Sequence, residues 1–156
     1  MKLTSSAFTE GQKIPKQYTG DGIDISPKLE WSDVPAKVKE FALIMDDPDA
    51  PMPKPWVHWV IYNIPGNTNG LPENLPRERE LAKHGGMRQG ANSWPLGNIG
   101  YRGPAPPRGK PHRYFFKLYA LDANLNLKHS MSKEQLLNAI KGHVIAEAQL
   151  MGTYER

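Results

Sequence analysis

Three segments of the chain are runs of apolar, β-branched and aromatic residues with the length of a buried strand. They are "KEFALIMD" (39–46), "WVHWVIYNI" (56–64) and "RYFFKLYALD" (113–122). Turn-forming residues follow the second and third runs, as "PGNTNG" and "DANLN". Runs of this kind, bounded by turns, predict β-strands.

The segment "SKEQLLNAIKGH" (132–143) has the pattern of a short helix. Ser132 is placed to cap its N-terminus, Gln135 occupies the capping-box position three residues later, and Gly142 is a typical stop. The segment that follows, "VIAEAQLMGTYER", alternates apolar and polar residues. This alternation favours a strand, although a helix is also compatible with it.

A long segment at 65–111 is crowded with glycine and proline, and it also contains Trp94 and Tyr101. Loops of this length inside a compact domain are usually functional or disordered, and aromatics beside glycines favour an ordered loop. Together the patterns predict a mainly β fold. We expect an antiparallel β-sandwich of two packed sheets, with one short helix before the C-terminal strand and a long Gly/Pro-rich loop.

The alternation of side chains along a strand groups the candidate functional residues. One face of 56–62 is expected to carry Trp56, His58, Val60 and Tyr62, and the other face Val57, Trp59 and Ile61. His112 and Tyr114 are expected to share a face at the start of another strand, and Asp47 and Asp49 follow the end of a third. If these strand ends converge, they form a small pocket of carboxylates, two imidazoles and a phenol with aromatic walls.

Each of these residues also has a structural interpretation. His58 could be a hydrogen-bonded core histidine, and His112 could lie at the surface. Asp47 and Asp49 could cap turns through their side chains. Two histidines and an aspartate could form a metal triad, but the proline-bracketed spacing does not support one. The sequence contains no H-E-x-x-H, G-x-S-x-G, Walker A or G-x-G-x-x-G motif.

Composition and charge exclude several classes of function. The length of 156 residues predicts a single domain over 1–156, and the absence of cysteine excludes disulfides and thiolate chemistry. The net charge of +4 is scattered along the chain, so we expect no nucleic-acid partner. No run approaches the roughly 18–20 apolar residues of a membrane span, and no secretory signal is visible. We therefore expect a cytoplasmic protein without a transmembrane segment.

Several motifs together resemble the phosphatidylethanolamine-binding protein family, which includes the Raf kinase inhibitor proteins. The central ones are "DPDAP", "WVHWVIYNIP" and "GYRGPAPPRGKPHRYFFKLYALD". "DISPKLEW" near the N-terminus and "GHVIAEAQLMGTYER" at the C-terminus are similar to the short bacterial and archaeal branch. The C-terminal segment differs from the longer eukaryotic members, which continue into a helix that gates the pocket. Phospholipid gating and Raf binding therefore do not carry over with the resemblance.

The resemblance implies a β-sandwich with a large central antiparallel sheet and a small pocket that accepts phosphate, acetate or a phospholipid head group. The family pocket corresponds to Asp47, Asp49, Trp56, His58, Tyr101, Gly103, Pro106, Pro107, His112 and Tyr114. Pro48 and Pro51 are expected to rigidify the wall that presents the two aspartates, with one or both X–Pro bonds in the cis form.

The leading hypothesis is a soluble protein that binds a phosphate-like or other small anionic group, without a cofactor or a metal. Cationic imidazolium, the Tyr114 hydroxyl and N–H groups near Gly103 would donate hydrogen bonds. The family name suggests inhibition of a kinase or a protease and hence a protein partner such as a kinase; a homodimer stays open.

Two other hypotheses remain. One is a small hydrolase or transferase that uses Asp47 with His58 or His112 as general acid and base. The other is a protein-interaction module whose working surface is the segment 65–111.

Overall fold

The computed structural model describes residues 1–96 and 98–156, which form two β-sheets and one α-helix. The strands are β1 (Lys2–Thr4), β2 (Leu29–Ser32), β3 (Glu40–Asp47), β4 (Trp56–Pro65), β5 (Gly70–Leu71), β6 (Glu80–Leu81), β7 (Met87–Gln89), β8 (His112–Leu121) and β9 (Val144–Tyr154). Helix α1 spans Lys133–Ile140, and 3-10 turns lie at Lys16–Tyr18 and Ala82–His84. No helix within the described ranges is long and apolar enough to cross a membrane.

The large sheet has six antiparallel strands in the order β6-β7-β4-β3-β8-β9, and the small sheet has the order β1-β2-β5. Strand β3 lies inside the large sheet, and all eight of its residues are buried. Both of its faces are covered, which explains why its sequence is a continuous apolar run without alternation. The three strands predicted from the apolar runs, β3, β4 and β8, begin and end within one residue of the predicted bounds.

The large sheet separates two hydrophobic cores. The first core lies between the two sheets, where Trp31 of β2 packs against Phe41 of β3 with ring centroids 5.2 Å apart. The second core lies on the opposite face, where Leu136 and Ile140 of α1 cover apolar residues such as Ile44. Each fully buried side chain of this size stabilises the fold by about 1.5–3 kcal/mol. The predicted mainly β architecture of two packed sheets is confirmed.

Helix α1 begins with the predicted capping box. The Ser132 hydroxyl accepts a hydrogen bond from the Gln135 N–H at 3.1 Å, and the Gln135 side chain accepts one from the Ser132 N–H at 3.0 Å. Gly142 follows the helix with a positive φ of 85°, which favours glycine. The chain then continues as strand β9, so the strand prediction for this segment is confirmed and the helical alternative is wrong.

Strand β4 contains a β-bulge that the alternation rule could not foresee. Met45 pairs with Trp59, but Asp46 pairs with Val57, so His58 is an extra residue on β4. Val57 consequently packs in the second core, while Trp59 packs in the first. The predicted grouping of residues 56–62 into two faces is therefore wrong around His58. This side chain lies against Tyr114, which belongs to the first core.

The turn after β3 forms with trans prolines, so the expected cis bond is wrong. The described residues contain no cis peptide bond, and Pro48 and Pro51 are among them. The Asp47 carboxylate accepts a hydrogen bond from the Asp49 N–H at 2.7 Å. This Asx-type bond turns the chain, and the prolines restrict it further, so no cis bond is required.

The segment 65–111 is less irregular than its composition suggested. It contributes the short strands β5, β6 and β7 and the 3-10 turn at Ala82–His84. Its last part, 101–111, has no strand assignment and bends at 108–110. This part passes the ends of the long strands and supplies one wall of the cavity described next.

Candidate binding site

A cavity of about 150 Å³ lies at one end of the large sheet. Strand β3 ends there, and its antiparallel neighbours β4 and β8 begin there, so Asp47, Trp56 and His112 are brought together. The chain segment that follows β3 and the Pro-rich segment before β8 complete the walls. The lining residues are Asp47, Ala50, Pro51, Met52, Trp56, His58, Trp94, Ala105, Pro106, Pro107, His112 and Tyr114.

Seven of the ten residues predicted for the site line this cavity. They are Asp47, Trp56, His58, Pro106, Pro107, His112 and Tyr114. The convergence of strand ends that the sequence suggested therefore occurs.

Asp47 and His112 form a buried ion-pairing contact in the cavity wall. The Nδ1 atom of His112 lies 2.7 Å from the Asp47 carboxylate, and the two residues are 8% and 3% exposed. An ionised carboxylate can only accept, so the Nδ1–H of His112 donates this hydrogen bond. The Nε2 atom is then the ring nitrogen that His112 can offer to a ligand, and it donates whenever the ring is protonated.

His58 is held by the backbone instead of by an acid. Its Nδ1 atom lies 2.6 Å from the carbonyl oxygen of Arg102, and the Arg102 N–H donates to the His58 carbonyl at 3.0 Å. The residue is 2% exposed, and this burial lowers its pKa to about 4. His58 is therefore uncharged near neutral pH. The expectation that cationic imidazolium donates from this position is not met.

Tyr114 supplies a hydroxyl that makes no hydrogen bond of acceptable geometry within the described residues, although the Asp47 carboxylate lies near it. This hydroxyl is buried. Burial raises the pKa of this phenol well above its usual range, and the nearby Asp47 carboxylate raises it further. Tyr114 therefore stays protonated. Its ring meets the His58 ring edge-on, with centroids 5.1 Å apart.

The remaining walls are aromatic and apolar. The rings of Trp56 and Trp94 meet edge-on at 5.5 Å, and Trp94 also lies 4.9 Å from His58. Met52 lines the cavity and is 52% exposed. Trp94 and Met52 were not among the predicted site residues. An aromatic residue within the Gly/Pro-rich segment was the available signal for Trp94, but no periodicity connected it to the strands.

Asp49 lies outside the cavity lining. It accepts hydrogen bonds from the backbone N–H and the guanidinium of Arg113, each at 2.9 Å. The Arg113 guanidinium lowers the pKa of this carboxyl. Asp49 thus anchors the turn after β3 to β8.

Tyr101 and Gly103 also lie outside the cavity lining. The Tyr101 hydroxyl donates to the Tyr18 carbonyl at 2.6 Å. The Gly103 N–H donates to the Asp24 carboxylate at 2.7 Å, so it is not available to a ligand. A Cβ atom at Gly103 would collide with the Tyr18 carbonyl oxygen, which explains why glycine occupies this position. Both residues position the Pro-rich wall of the cavity.

Within the described parts of the chain, no group of three or more acidic, histidine or cysteine side chains has the geometry to hold a metal ion. The cavity therefore offers hydrogen-bonding groups and apolar walls: the Asp47–His112 pair, the neutral imidazole of His58 and the free hydroxyl of Tyr114.

Comparisons with known proteins agree with this architecture. Residues 4–155 match the family described as Phosphatidylethanolamine-binding protein. A UPF0098 protein of Methanothermobacter thermautotrophicus is 52% identical over 156 residues, which cover 100% of this chain and 99% of the relative.

Two solved structures are similar to the whole chain. CT736 of Chlamydia trachomatis, described as a homologue of the phosphatidylethanolamine-binding proteins, has a TM-score of 0.87 at 43% identity, covering 99% of this chain and 97% of its own. YbcL of E. coli, described as a member of the mammalian family of these proteins, has a TM-score of 0.89 at 33% identity, covering 99% and 98%.

Proposed function

Because the chain belongs to the phosphatidylethanolamine-binding protein family, we propose that its cavity binds a small ligand through a phosphate-like or other anionic group. Ligand cavities for whole drug-sized molecules measure roughly 300–1,000 Å³. The cavity here, at about 150 Å³, is smaller and suits one polar group of a ligand. A protein partner that presents such a group, as the resemblance to kinase inhibitor proteins suggests, would use the same cavity.

The observation that carries this proposal is the free hydroxyl of Tyr114 beside the Asp47–His112 pair. A buried hydroxyl without a partner costs free energy, and a ligand oxygen would remove that cost. The Nδ1 atom of His112 bonds to Asp47 at 2.7 Å, which leaves Nε2 as the nitrogen that the imidazolium form would offer to an anion. Two donors, one of them charge-assisted, would then meet the oxygens of an anion.

The sharpest test removes only the hydroxyl. Tyr114→Phe should weaken the binding of inorganic phosphate about 3–10-fold in calorimetric titration, since a hydrogen bond worth about 0.5–1.5 kcal/mol is lost. The same variant should melt close to the wild-type temperature, because the hydroxyl makes no hydrogen bond of acceptable geometry within the described residues. Wild-type affinity in Tyr114→Phe would count against this donor.

A second variant tests the contribution of the His112 imidazole. His112→Ala should weaken phosphate binding roughly 10–100-fold, since hydrogen bonds to charged groups contribute about 1.5–3 kcal/mol. The matched control is His143→Ala, because His143 pairs with Asp122 at 3.0 Å on the exposed surface, outside the cavity. Equal phosphate affinity in both variants would refute the proposed site.

The Asp47–His112 pair also supports a second candidate function, a hydrolase. A carboxylate on Nδ1 orients the ring so that Nε2 can act as general base. The described residues that line the cavity include no Ser, Thr, Cys or Lys, and with Asp47 engaged in orienting His112, the nucleophile of this candidate would be an activated water. Phosphate and carboxylate esters should be screened for turnover, and activity lost in both His112→Ala and Asp47→Asn would favour the enzyme.

A further inference from the structure

The backbone around Arg102 determines which nitrogen of His58 carries the proton. The Arg102 carbonyl oxygen, 2.6 Å from Nδ1, can only accept a hydrogen bond. The hydrogen of the neutral ring therefore sits on Nδ1. The Nε2 atom of the neutral ring is left with a lone pair, and no N–H or O–H in the described parts of the chain donates a hydrogen bond to it. Toward a ligand in the cavity, His58 is an acceptor.

The surroundings keep His58 in this neutral form. Burial is the largest influence on its pKa, which lies at about 4. The backbone carbonyls of Arg102 and Gly103 and the charge of Asp46 on β3 raise this pKa, but they do not offset the burial. The charge of His112 on β8 lowers the pKa of His58, as burial does.

The other groups that face the ring do not change this balance. Tyr114, on β8, faces it as a neutral phenol, and the guanidinium of Arg102 is bonded to Asn98. No carboxylate within the described residues is hydrogen-bonded to His58. The ring therefore has no anionic partner that would hold a second proton on it.

The cavity therefore combines donors with the acceptor nitrogen of His58, while the oxygens of the lining Asp47 carboxylate already accept from the Asp49 N–H and from His112. Tyr114 and protonated His112 donate, whereas the Nε2 lone pair of His58 repels an oxygen that carries no hydrogen. A buried acceptor that meets another acceptor stays unsatisfied, and this is costly. An anion that keeps one O–H group satisfies all three side chains at once.

We propose that the cavity selects anions that retain a proton, because His58 accepts a hydrogen bond from the ligand. This inference rests on the anion-binding function proposed above and narrows its ligand class. Phosphate monoesters keep an O–H as monoanions, below a second ionisation near pH ~6. Inorganic phosphate keeps an O–H both as the monoanion and as the dianion. Sulfate, sulfate esters and phosphodiesters have none. A phosphomonoester or free phosphate is thus preferred to the diester of a lipid head group.

The matched probes are methyl phosphate and methyl sulfate, titrated calorimetrically at about pH 5. Both are then mainly monoanions of nearly the same shape, and they differ in one O–H group. Methyl phosphate should bind at least about tenfold more tightly. Dimethyl phosphate, titrated in parallel, represents the phosphodiester and should bind as weakly as methyl sulfate.

The variant His58→Asn tests whether this residue causes the preference. An amide side chain can present an N–H as readily as an oxygen, so the preference should shrink to about threefold or less. A thermal melt confirms that the variant is folded. If it does not fold, the wild-type pH profile decides. Methyl phosphate affinity should fall as pH rises above ~6, where the ligand loses its O–H. Methyl sulfate affinity should rise at and below pH 4, where His58 becomes a donor.

The outcomes separate this inference from the proposed function. If methyl sulfate binds the wild type within about threefold of methyl phosphate, selection by His58 is refuted and anion binding stands. An undiminished preference in folded His58→Asn, or wild-type profiles without the two pH trends, also refutes it. If phosphate and both esters fail to bind, the inference and the proposed function are refuted together.

Discussion

Asp46 and Asp47 are neighbours at the end of β3, both almost fully buried, yet they face opposite sides of the large sheet. Asp46 is 1% exposed and is neutralised by two lysines, Lys133 of α1 at 2.7 Å and Lys117 of β8 at 3.5 Å. Asp47 is 3% exposed and is bonded to His112 at the cavity. The same residue type at the same depth has two different partners.

The chemistry of the partner separates the two roles. An ammonium group is charged over the whole physiological range and carries only donors, so the Asp46 cluster holds α1 against the sheet. An imidazole can lose its proton, and it bonds Asp47 through one nitrogen while offering the other to a ligand. Burial of a carboxylate therefore does not by itself indicate a binding site. The indication is a partner such as His112, which keeps a second nitrogen for a ligand.

The largest expected effect comes from breaking the Asp46 cluster. Asp46→Ala leaves Lys133, 16% exposed, without its partner and should lower the free energy of unfolding by about 3 kcal/mol. Chemical denaturation measures this loss, and the folded variant should bind phosphate like the wild type. The control is Asp122→Ala at an exposed pair, which should change stability by less than about 0.5 kcal/mol. If the folded Asp46→Ala variant lost its affinity for phosphate, the two faces of the large sheet would be coupled.

The next effect is a pH dependence confined to the cavity face. The pKa of His58 is lowered in the folded state to about 4, so the unfolded chain binds the extra proton first. The free energy of unfolding should be at its full value above about pH 6.5. It should fall as the pH decreases toward 4, by up to about 3 kcal/mol. Denaturant melts across this range measure the slope. His58→Asn should flatten the dependence of the unfolding free energy on pH. An equally steep slope in that variant would mean that another group takes up the proton on unfolding.

The smallest effect concerns the cap of α1. Ser132→Ala removes the hydroxyl that accepts from Gln135 and should cost about 1 kcal/mol of stability. Phosphate affinity should stay within error, because the helix covers the face opposite the cavity. A thermal melt and a phosphate titration of this variant are run in parallel. If the phosphate affinity falls together with the stability, the two faces are not separate.

Local patterns were sufficient for the long strands and for α1, but not for the short strands β1, β2, β5, β6 and β7. The length of an apolar run, a capping box and turn residues act through neighbours in sequence, so the long strands and α1 could be located to about one residue. The resemblance to a family then indicated seven of the residues that line the cavity. Three predicted residues lie behind the cavity wall instead: Asp49, Tyr101 and Gly103. Each is hydrogen-bonded to a residue distant in sequence, and no local pattern predicts such a bond.

The sequence by itself determined where the long strands, the helix and the chemical groups of the site occur, because backbone propensity and hydrophobic periodicity are short-range. Only the tertiary structure decided how those groups are used. Pairing with β3 created the bulge that turns His58 toward Tyr114. A carbonyl 44 residues away set the tautomer of His58, and a contact across 65 residues joined His112 to Asp47. A hydrogen bond between distant groups depends on how the whole chain packs, and no local pattern encodes it.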